Sequence, residues 1–160
     1  MEHIVISYTK GYNISEYILT FFTWTFVLYW THRICHYVPY LKEIHWKHHK
    51  YVTNTQPKWM WQNIFLYSDD WNGTLDIIVT EIIPTIIFCY LTNQWWILGV
   101  YYIWTAFIQE WVEHNPNVYL PPFSAGKTHL VHHEDWTKNY SLFFPMWDIV
   151  FRTYKKVGVE

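Results

Sequence analysis

The stretch that decides the fold reads His32-Arg-Ile-Cys-His36, eight further residues, and then His45-Trp-Lys-His48-His49. A second H-x-x-H-H box, His129-Leu-Val-His132-His133, follows eighty residues later. Positions i, i+3 and i+4 share one helix face, so each box is predicted to present three imidazoles in one direction. With 10 histidines in 160 residues, only about 0.04 such boxes are expected by chance. The set therefore predicts metal ligation.

Apolar runs flank these boxes. Asn13 and Glu16 form a capping-box pattern that predicts a helix from Ile14, and residues 14–31 would rise about 27 Å, close to the hydrocarbon thickness of a bilayer. A buried core helix is the alternative for this run. Residues 75–91 and 94–112 are two further apolar runs that resemble a membrane hairpin, with Asp76 and Glu81 on an inward polar side.

The predicted fold class is all-α. We expect one domain over residues 1–160, an integral membrane helical bundle with about three apolar spans and a cytoplasmic histidine-rich helical cap. Two spans separate the first boxes from the last, so all boxes can meet on one side of the membrane. Of the 11 lysines and arginines, only Lys10 lies outside the regions that carry the boxes, and this bias places the site in the cytoplasm.

Composition excludes several other classes. A formal charge of −2 implies no nucleic-acid partner. The aromatic content of 22% favours a bilayer interface. Cys35 and Cys89 lie in apolar context and predict neither a disulfide nor a cysteine-based zinc site. Residues 1–13 are polar and no signal-peptide cleavage site follows them. The sequence has no H-E-x-x-H motif, which argues against a zinc protease. It also has no G-x-G-x-x-G motif, which argues against a bound flavin or nicotinamide cofactor.

The candidate ligands are the eight box histidines, with His114 as a possible ninth: His32, His36, His45, His48, His49, His129, His132, His133 and His114. This number exceeds one tetrahedral ion and suits two metals with four or five ligands each. Imidazole binds Zn, Cu, Fe and Ni, so ligand type leaves the metal open. Glu110, Glu113, Glu134 and Asp135 are candidates to orient the imidazoles, with simple surface solvation as the alternative. A carboxylate iron ligand at Glu134 or Asp135 would leave the other boxes unused.

Three segments resemble the histidine boxes of the fatty acid hydroxylase/sterol desaturase superfamily: Tyr29-Trp-Thr-His-Arg-Ile-Cys-His36, His45-Trp-Lys-His-His-Lys-Tyr51 and His129-Leu-Val-His-His133. The tail from Asn139 to Thr153 is similar to the Asn-Tyr…Trp-Asp…Phe-Gly-Thr segment of that family. His114-Asn115 lies where members often carry His-Ser-Gly. Three features depart from the family: a single span precedes the first box, Arg152 replaces a glycine, and Gln56-Pro57 lies where many members have another histidine.

The resemblance implies a membrane-bound di-iron oxygenase that uses O₂ to hydroxylate an unactivated C–H bond of a fatty acyl, sphingolipid or sterol substrate. It implies two iron ions, which zinc can replace in purified protein, and electrons from a cytochrome-b-type donor with its NAD(P)H reductase. The implied location is the endoplasmic reticulum for a eukaryotic or eukaryote-infecting viral protein and the inner membrane for a bacterial one. A desaturase with the same site, and a non-catalytic zinc-binding membrane protein, are the alternatives.

Overall fold

The computed structural model describes residues 13–54, 58–68 and 70–158, and the regular secondary structure in these ranges is helical. Six helices follow in order: α1 Ile14–Cys35, α2 Pro39–Asn54, α3 Trp71–Thr92, α4 Trp96–Gln109, α5 Lys127–Glu134 and α6 Met146–Val150. A short helical turn, Glu110–Val112, continues α4, and a 3₁₀ turn, Trp61–Phe65, precedes α3. The all-α prediction is confirmed for these residues. The polar lead and Gln56-Pro57 lie outside them.

Helix α1 begins where its capping box predicts. The Asn13 side chain accepts from the Glu16 backbone N–H, and the Glu16 carboxylate accepts from the Asn13 N–H, each at 2.9 Å. The helix then buries Trp24, whose indole N–H donates to Thr85 of α3 at 3.0 Å. Trp24 belongs to a core cluster shared by α1, α3, α4 and the tail. Helix α1 is therefore anchored to the hairpin about halfway along its length.

Helices α3 and α4 form the predicted hairpin, and each contains a π-helical stretch, Ile78–Ile82 and Trp104–Gln109. Such stretches are rare and are frequent at functional sites. Among the described residues, Trp71–Thr92 is long and apolar enough to cross a membrane, and Trp96–Gln109 is a shorter apolar helix. Helix α1 has 22 residues, but its threonines and aromatic hydroxyls lower its hydropathy. The arrangement of three spans therefore stays a prediction.

The remaining elements close over one end of this bundle. Pro39 starts α2, since proline suits the first helical turn. Gly126 precedes α5 with φ +64°, and a Cβ there would lie 2.2 Å from the Val118 carbonyl oxygen, so only glycine fits without a shift. The Gly126 N–H donates to the Glu113 carbonyl at 2.9 Å. These contacts set α5 beside the C-terminal end of α4.

Candidate metal centre

The end of α1, the inner face of α2, helix α5 and the segment after α4 bring all nine predicted histidines together. Five of them form the five-histidine group: His32, His36, His45, His49 and His132. Its ligand nitrogens all lie within 4.8 Å of one another. His48, His114 and His133 form another such cluster. His129 lies beside it, with its Nε2 3.1 Å from that of His133, and we call these four the second group.

Each H-x-x-H-H box divides between the two groups. His45 and His49 belong to the five-histidine group, whereas His48 belongs to the second. In α5, His129 and His133 belong to the second group, whereas His132 belongs to the five-histidine group. The prediction that a box presents three imidazoles in one direction was therefore wrong in detail. At about 100° per residue, i and i+4 differ by about 40°, while i+3 lies about 60° to the other side.

Nitrogen spacing tests whether an ion fits the five-histidine group. Nε2 of His45 lies 3.1 Å from Nε2 of His32, 3.1 Å from that of His36 and 3.0 Å from that of His49. His36 and His132 are also 3.1 Å apart at Nε2. For metal–nitrogen bonds of about 2.1 Å, ligands at right angles are about 3.0 Å apart and tetrahedral ligands about 3.4 Å apart. The nitrogens fit one ion with five or six ligands at near right angles.

The other ring nitrogen of three of these histidines has a fixed partner. His32 Nδ1 lies 2.8 Å from the Tyr140 carbonyl and His132 Nδ1 lies 2.6 Å from the Lys138 carbonyl. His45 Nδ1 lies 2.9 Å from Asp76 Oδ1 and 3.0 Å from Oδ2. A carbonyl or carboxylate requires an N–H at Nδ1, so each Nε2 carries the lone pair that a metal needs.

The imidazoles of the second group have fewer hydrogen-bond partners than those of the five-histidine group. Among the described residues, Nδ1 of His48 and of His133 has no hydrogen-bond partner, and neither has either ring nitrogen of His114. His129 Nδ1 lies 3.7 Å from Glu113 Oε1, beyond hydrogen-bonding distance. Buried polar atoms without partners are costly, and a bound metal ion would satisfy these nitrogens. The donor set therefore also fits a metal.

Burial favours the neutral form of eight of these imidazoles. Loss of solvent lowers the pKa of His32 to about 3 and that of His48 to about 4. Burial is also the main reason that the pKa of six further histidines is lowered, and repulsion from neighbouring histidines adds to this effect. The six are His36, His49, His114, His129, His132 and His133. Neutral imidazole is the form that binds metal. The site is thus ready for metal at neutral pH.

The carboxylates differ from those predicted. Glu134 is exposed, and Asp135 bonds Thr137 and lies 3.7 Å from Lys155, so neither orients an imidazole in the described structure. Glu113 is buried near His129. The side chain of Glu110 is outside the described structure. Asp76, which contacts His45, was not among the candidates, although a charged residue in an apolar run was the signal for it.

The tail, residues 139–153, contacts the five-histidine group through a backbone carbonyl. Buried Asp148 accepts hydrogen bonds from the Tyr140 and Ser141 backbone N–H groups at 2.8 and 2.9 Å and from the Thr153 hydroxyl at 2.7 Å. These bonds fix the backbone whose Tyr140 carbonyl contacts His32. The Asp148–Thr153 part of the family-like tail thus has a structural explanation: it sets the position of one imidazole.

A cavity of about 30 Å³ lies between the histidines and the hairpin. Its walls include histidines from both groups, the polar residues of α3 and α4, and three aliphatic side chains: His32, His45, His48, His114, His129, Asp76, Thr80, Glu81, Gln109, Glu113, Leu28, Ile77 and Leu142. This volume holds a molecule the size of water. Glu81 and Gln109 lie in the two π-helical stretches, with Gln109 Nε2 3.4 Å from Glu81 Oε1.

Known proteins give an independent comparison. A Delta(7)-sterol 5(6)-desaturase of Aspergillus fumigatus is 26% identical over 151 residues, covering 93% of this chain and 40% of that protein. A C-4 methylsterol oxidase of Schizosaccharomyces pombe is 28% identical over 137 residues, covering 78% of this chain and 42% of that protein. The chain thus spans about two fifths of the length of these relatives. No solved structure matches it.

The family model for fatty acid hydroxylases matches residues 17–153, which include all three boxes, the hairpin and the tail. The match therefore covers most of the chain and every element that contributes to the candidate centre. The chain belongs to the fatty acid hydroxylase family.

Proposed function

We propose that this protein is a membrane-bound di-iron oxygenase that hydroxylates an unactivated C–H bond of a lipid, using O₂ and electrons from another protein. One observation carries the proposal: nine mostly buried imidazoles meet in two adjacent groups. The groups are in contact, since the rings of His49 and His133 stack with centroids 4.3 Å apart. Adjacent sites suit two ions that act on one substrate.

The five-histidine group would hold one ion and the second group the other. Zinc favours four tetrahedral ligands and has no redox chemistry. The right-angle spacing around His45 instead favours an ion with more ligands, such as iron. When bound, an iron pair would supply the redox chemistry that activates O₂ toward a C–H bond. The protein's own contribution is to orient His32, His45 and His132 through the partners of their Nδ1 atoms.

The reaction needs an enclosed space beside both groups, and the cavity under α3 and α4 provides it. Its volume of about 30 Å³ accommodates O₂ but not a lipid chain. Substrate entry therefore requires α3 and α4 to move apart. The π-helical stretches Ile78–Ile82 and Trp104–Gln109 are the places where these helices are least regular. A closed space of this size keeps bulk water away from the site.

Exposed apolar side chains support a membrane setting. Leu91 is 75% exposed and Tyr90 is 76% exposed on α3, and Ile18, Ile87, Ile103 and Trp111 are also exposed. Large apolar side chains exposed on several helices are typical of a surface that contacts lipid or another protein. We propose three spans, near residues 14–31, 75–91 and 94–112, with the histidines on the cytoplasmic side. In a eukaryotic cell or its virus the membrane would be the endoplasmic reticulum, and in a bacterium the inner membrane.

Desaturation is the second candidate, because one of the relatives is a Delta(7)-sterol 5(6)-desaturase. Hydroxylation consumes R–H, O₂, two electrons and two protons and gives R–OH and water. Desaturation uses the same inputs but removes hydrogen from two adjacent carbons, giving an alkene and two waters. The relatives' names make a sterol a leading substrate class, beside fatty acyl and sphingolipid chains. The electrons would come from a cytochrome-b-type donor and its NAD(P)H reductase.

Metal analysis and lipid profiling test this proposal together. Protein purified without oxygen should contain iron, or take it up after chelation, and cells that express it should accumulate an oxidised lipid. The His48→Ala variant should insert into membranes but form no product. Zinc alone, with no iron uptake on reconstitution and no change in any lipid, would contradict the proposal and support a zinc-binding protein.

A further inference from the structure

Two indole rings connect the five-histidine group to the surface. The Trp136 ring stacks on His36 with a centroid separation of 5.8 Å and an interplanar angle of 20°. The Trp46 ring stacks on His49 at 5.9 Å and 17°. Both contacts are offset stacks between nearly parallel rings. Trp46 is 41% exposed, although His36 and His49 are buried.

The two indoles share one groove, lined by Pro39, Lys42, Glu43, Trp46 and Trp136. We call it the indole groove. His36 and His49 do not line the cavity under the hairpin, which is lined instead by His32 and His45 of the same group. The five-histidine group therefore has one side toward the proposed reaction space and another toward the indole groove.

We propose that the indole groove is the docking surface for the electron donor, and that Trp46 and Trp136 carry its electrons to the five-histidine group. This inference rests on the proposed oxygenase function. Electron transfer slows steeply with distance and is faster through contacting π-systems than across gaps. A donor whose redox group lay over the groove would be separated from His36 or His49 by one indole ring.

Charge indicates the chemistry of the donor. The outer face of α2 carries exposed Lys42, Lys47 and Lys50, against one exposed carboxylate, Glu43, which lies 3.6 Å from Lys47. The Lys42 ammonium also lies 5.1 Å from the centre of the Trp136 ring. This excess of positive charge fits a one-electron carrier with acidic residues around its redox group. Two reduced carriers would each lose one electron per turnover, and two protons from water balance the charge.

Anaerobic stopped-flow measurements test the path. The probe is an acidic, soluble cytochrome-b-type haem domain, reduced beforehand and mixed with protein that has been loaded with ferric iron. Its haem absorbance reports oxidation as the electron passes to the ferric iron. The measured quantity is the oxidation rate divided by the rate at which dithionite reduces the same iron sample. Trp46→Leu and Trp136→Leu should each lower this ratio, and the double variant should lower it by about an order of magnitude or more. Trp61→Leu is the matched control, because Trp61 is 63% exposed and contacts Phe65 instead.

Binding of the same oxidised haem domain tests the surface. Lys42→Glu combined with Lys50→Glu should weaken its affinity about tenfold at low ionic strength, with little difference at high salt. Lys127→Glu reverses an exposed lysine of α5 and should have the smaller effect. Trp46→Phe and Trp136→Phe should restore part of the rate if aromatic contact is what matters. Iron content and helical circular dichroism of each variant report whether it has folded.

Different outcomes would contradict the electron path, the docking surface and the oxygenase function. Unchanged rate ratios in the folded, iron-loaded Leu double variant would overturn the electron path. Lysine variants that lose affinity for anionic lipid vesicles but not for the haem domain would overturn the docking surface and indicate a membrane contact. If wild-type protein reduced with dithionite forms no O₂-dependent lipid product, the proposed function itself fails, whatever the tryptophan variants do.

Discussion

The two histidine groups use the same residue type and share two of their helices, but the protein holds them differently. In the five-histidine group, His32, His45 and His132 each have a carbonyl or carboxylate at Nδ1. In the second group, Nδ1 of His48, His114 and His133 lacks a hydrogen-bond partner within the described residues. Hydrogen bonds within the protein therefore hold imidazoles of the five-histidine group in place. The positions of the imidazoles in the second group depend more on the bound ion.

This difference has a thermodynamic consequence. Orienting partners commonly contribute about 10- to 100-fold to metal affinity. We therefore expect the five-histidine group to bind its iron more tightly and the second group to lose iron first. An exchangeable ion beside the cavity also suits a site that must accommodate substrate.

The largest expected effect comes from removing one ligand in each group. Both His132→Ala and His48→Ala should abolish lipid oxidation. The second group would keep only three imidazoles in His48→Ala, so iron should fall from about two to about one per chain. The five-histidine group keeps four in His132→Ala and should retain more iron. Iron analysis of anaerobic protein measures the difference.

His3→Ala is the control, because His3 is the one of the ten histidines that is not among the nine predicted ligands. It should change neither iron content nor product formation. Equal iron loss in the two box variants would show that the groups do not differ in the way their hydrogen bonds suggest. Retained turnover in either variant would remove that histidine from the ligand set.

Local sequence patterns were enough to predict the helices and the nine histidines that meet. The Asn13–Glu16 cap and the i, i+4 pairs depend on neighbours in sequence, which a helix brings together by its own geometry. The division of each box between two groups depends on how α1, α2 and α5 pack, and spacing alone does not contain that information. The contact between Asp76 and His45 could not be predicted for the same reason, because the two residues are 31 positions apart in sequence and lie on different helices.

The carboxylates near the last box show how proximity in sequence misleads. Glu134 and Asp135 directly follow His132-His133, yet helix α5 ends at Glu134 and turns Asp135 toward Thr137 and Lys155. The π-helical stretches of α3 and α4 likewise had no sequence signal, since they are a departure from regular packing. Tertiary contacts decided these features.

Acid should destabilise the metal-free protein, and this is the next largest effect. Burial lowers the pKa of histidines in both groups, from a value near 6.5 in the unfolded chain to about 3 for His32 and about 4 for His48. Below about pH 6.5 the unfolded chain therefore binds more protons than the folded chain, and the free energy of unfolding falls as pH falls. Each such histidine contributes up to about 1.4 kcal/mol per pH unit.

Thermal unfolding of chelated protein in detergent measures this effect. The midpoint should be lower by roughly 10 °C or more at about pH 5.5 than at about pH 7.5. His132→Gln and His114→Gln remove one such histidine from each group, and both should flatten the pH dependence to a similar extent. A midpoint that is constant over this range would mean that the imidazoles are not held neutral by burial.

Two buried carboxylates beside the histidines, Asp76 and Glu113, offer a smaller and more selective test. Asp76 contacts His45 Nδ1 at 2.9 Å, whereas Glu113 lies 3.7 Å from His129 Nδ1. Asp76→Asn keeps the shape of the side chain but removes its charge, and should lower iron affinity about 10- to 100-fold. Glu113→Gln should change affinity much less. Competition with a chelator gives both values, and a larger effect at Glu113 would reverse the assigned roles.

The smallest expected effect is a gain in stability at Arg152, in the segment that supports the five-histidine group. Arg152 has φ +59°, a conformation that glycine adopts without strain and that other residues adopt at a cost of about 1 kcal/mol. This explains why glycine is usual at this position in the family-like tail. Arg152→Gly should raise the thermal midpoint by about 2–4 °C, whereas Arg152→Ala removes the same side chain without relieving the backbone and should not. Because the Asp148–Thr153 bonds remain, chelator competition should show unchanged iron affinity in both variants, and a loss of affinity in Arg152→Gly alone would mean that the strained turn itself helps to position His32.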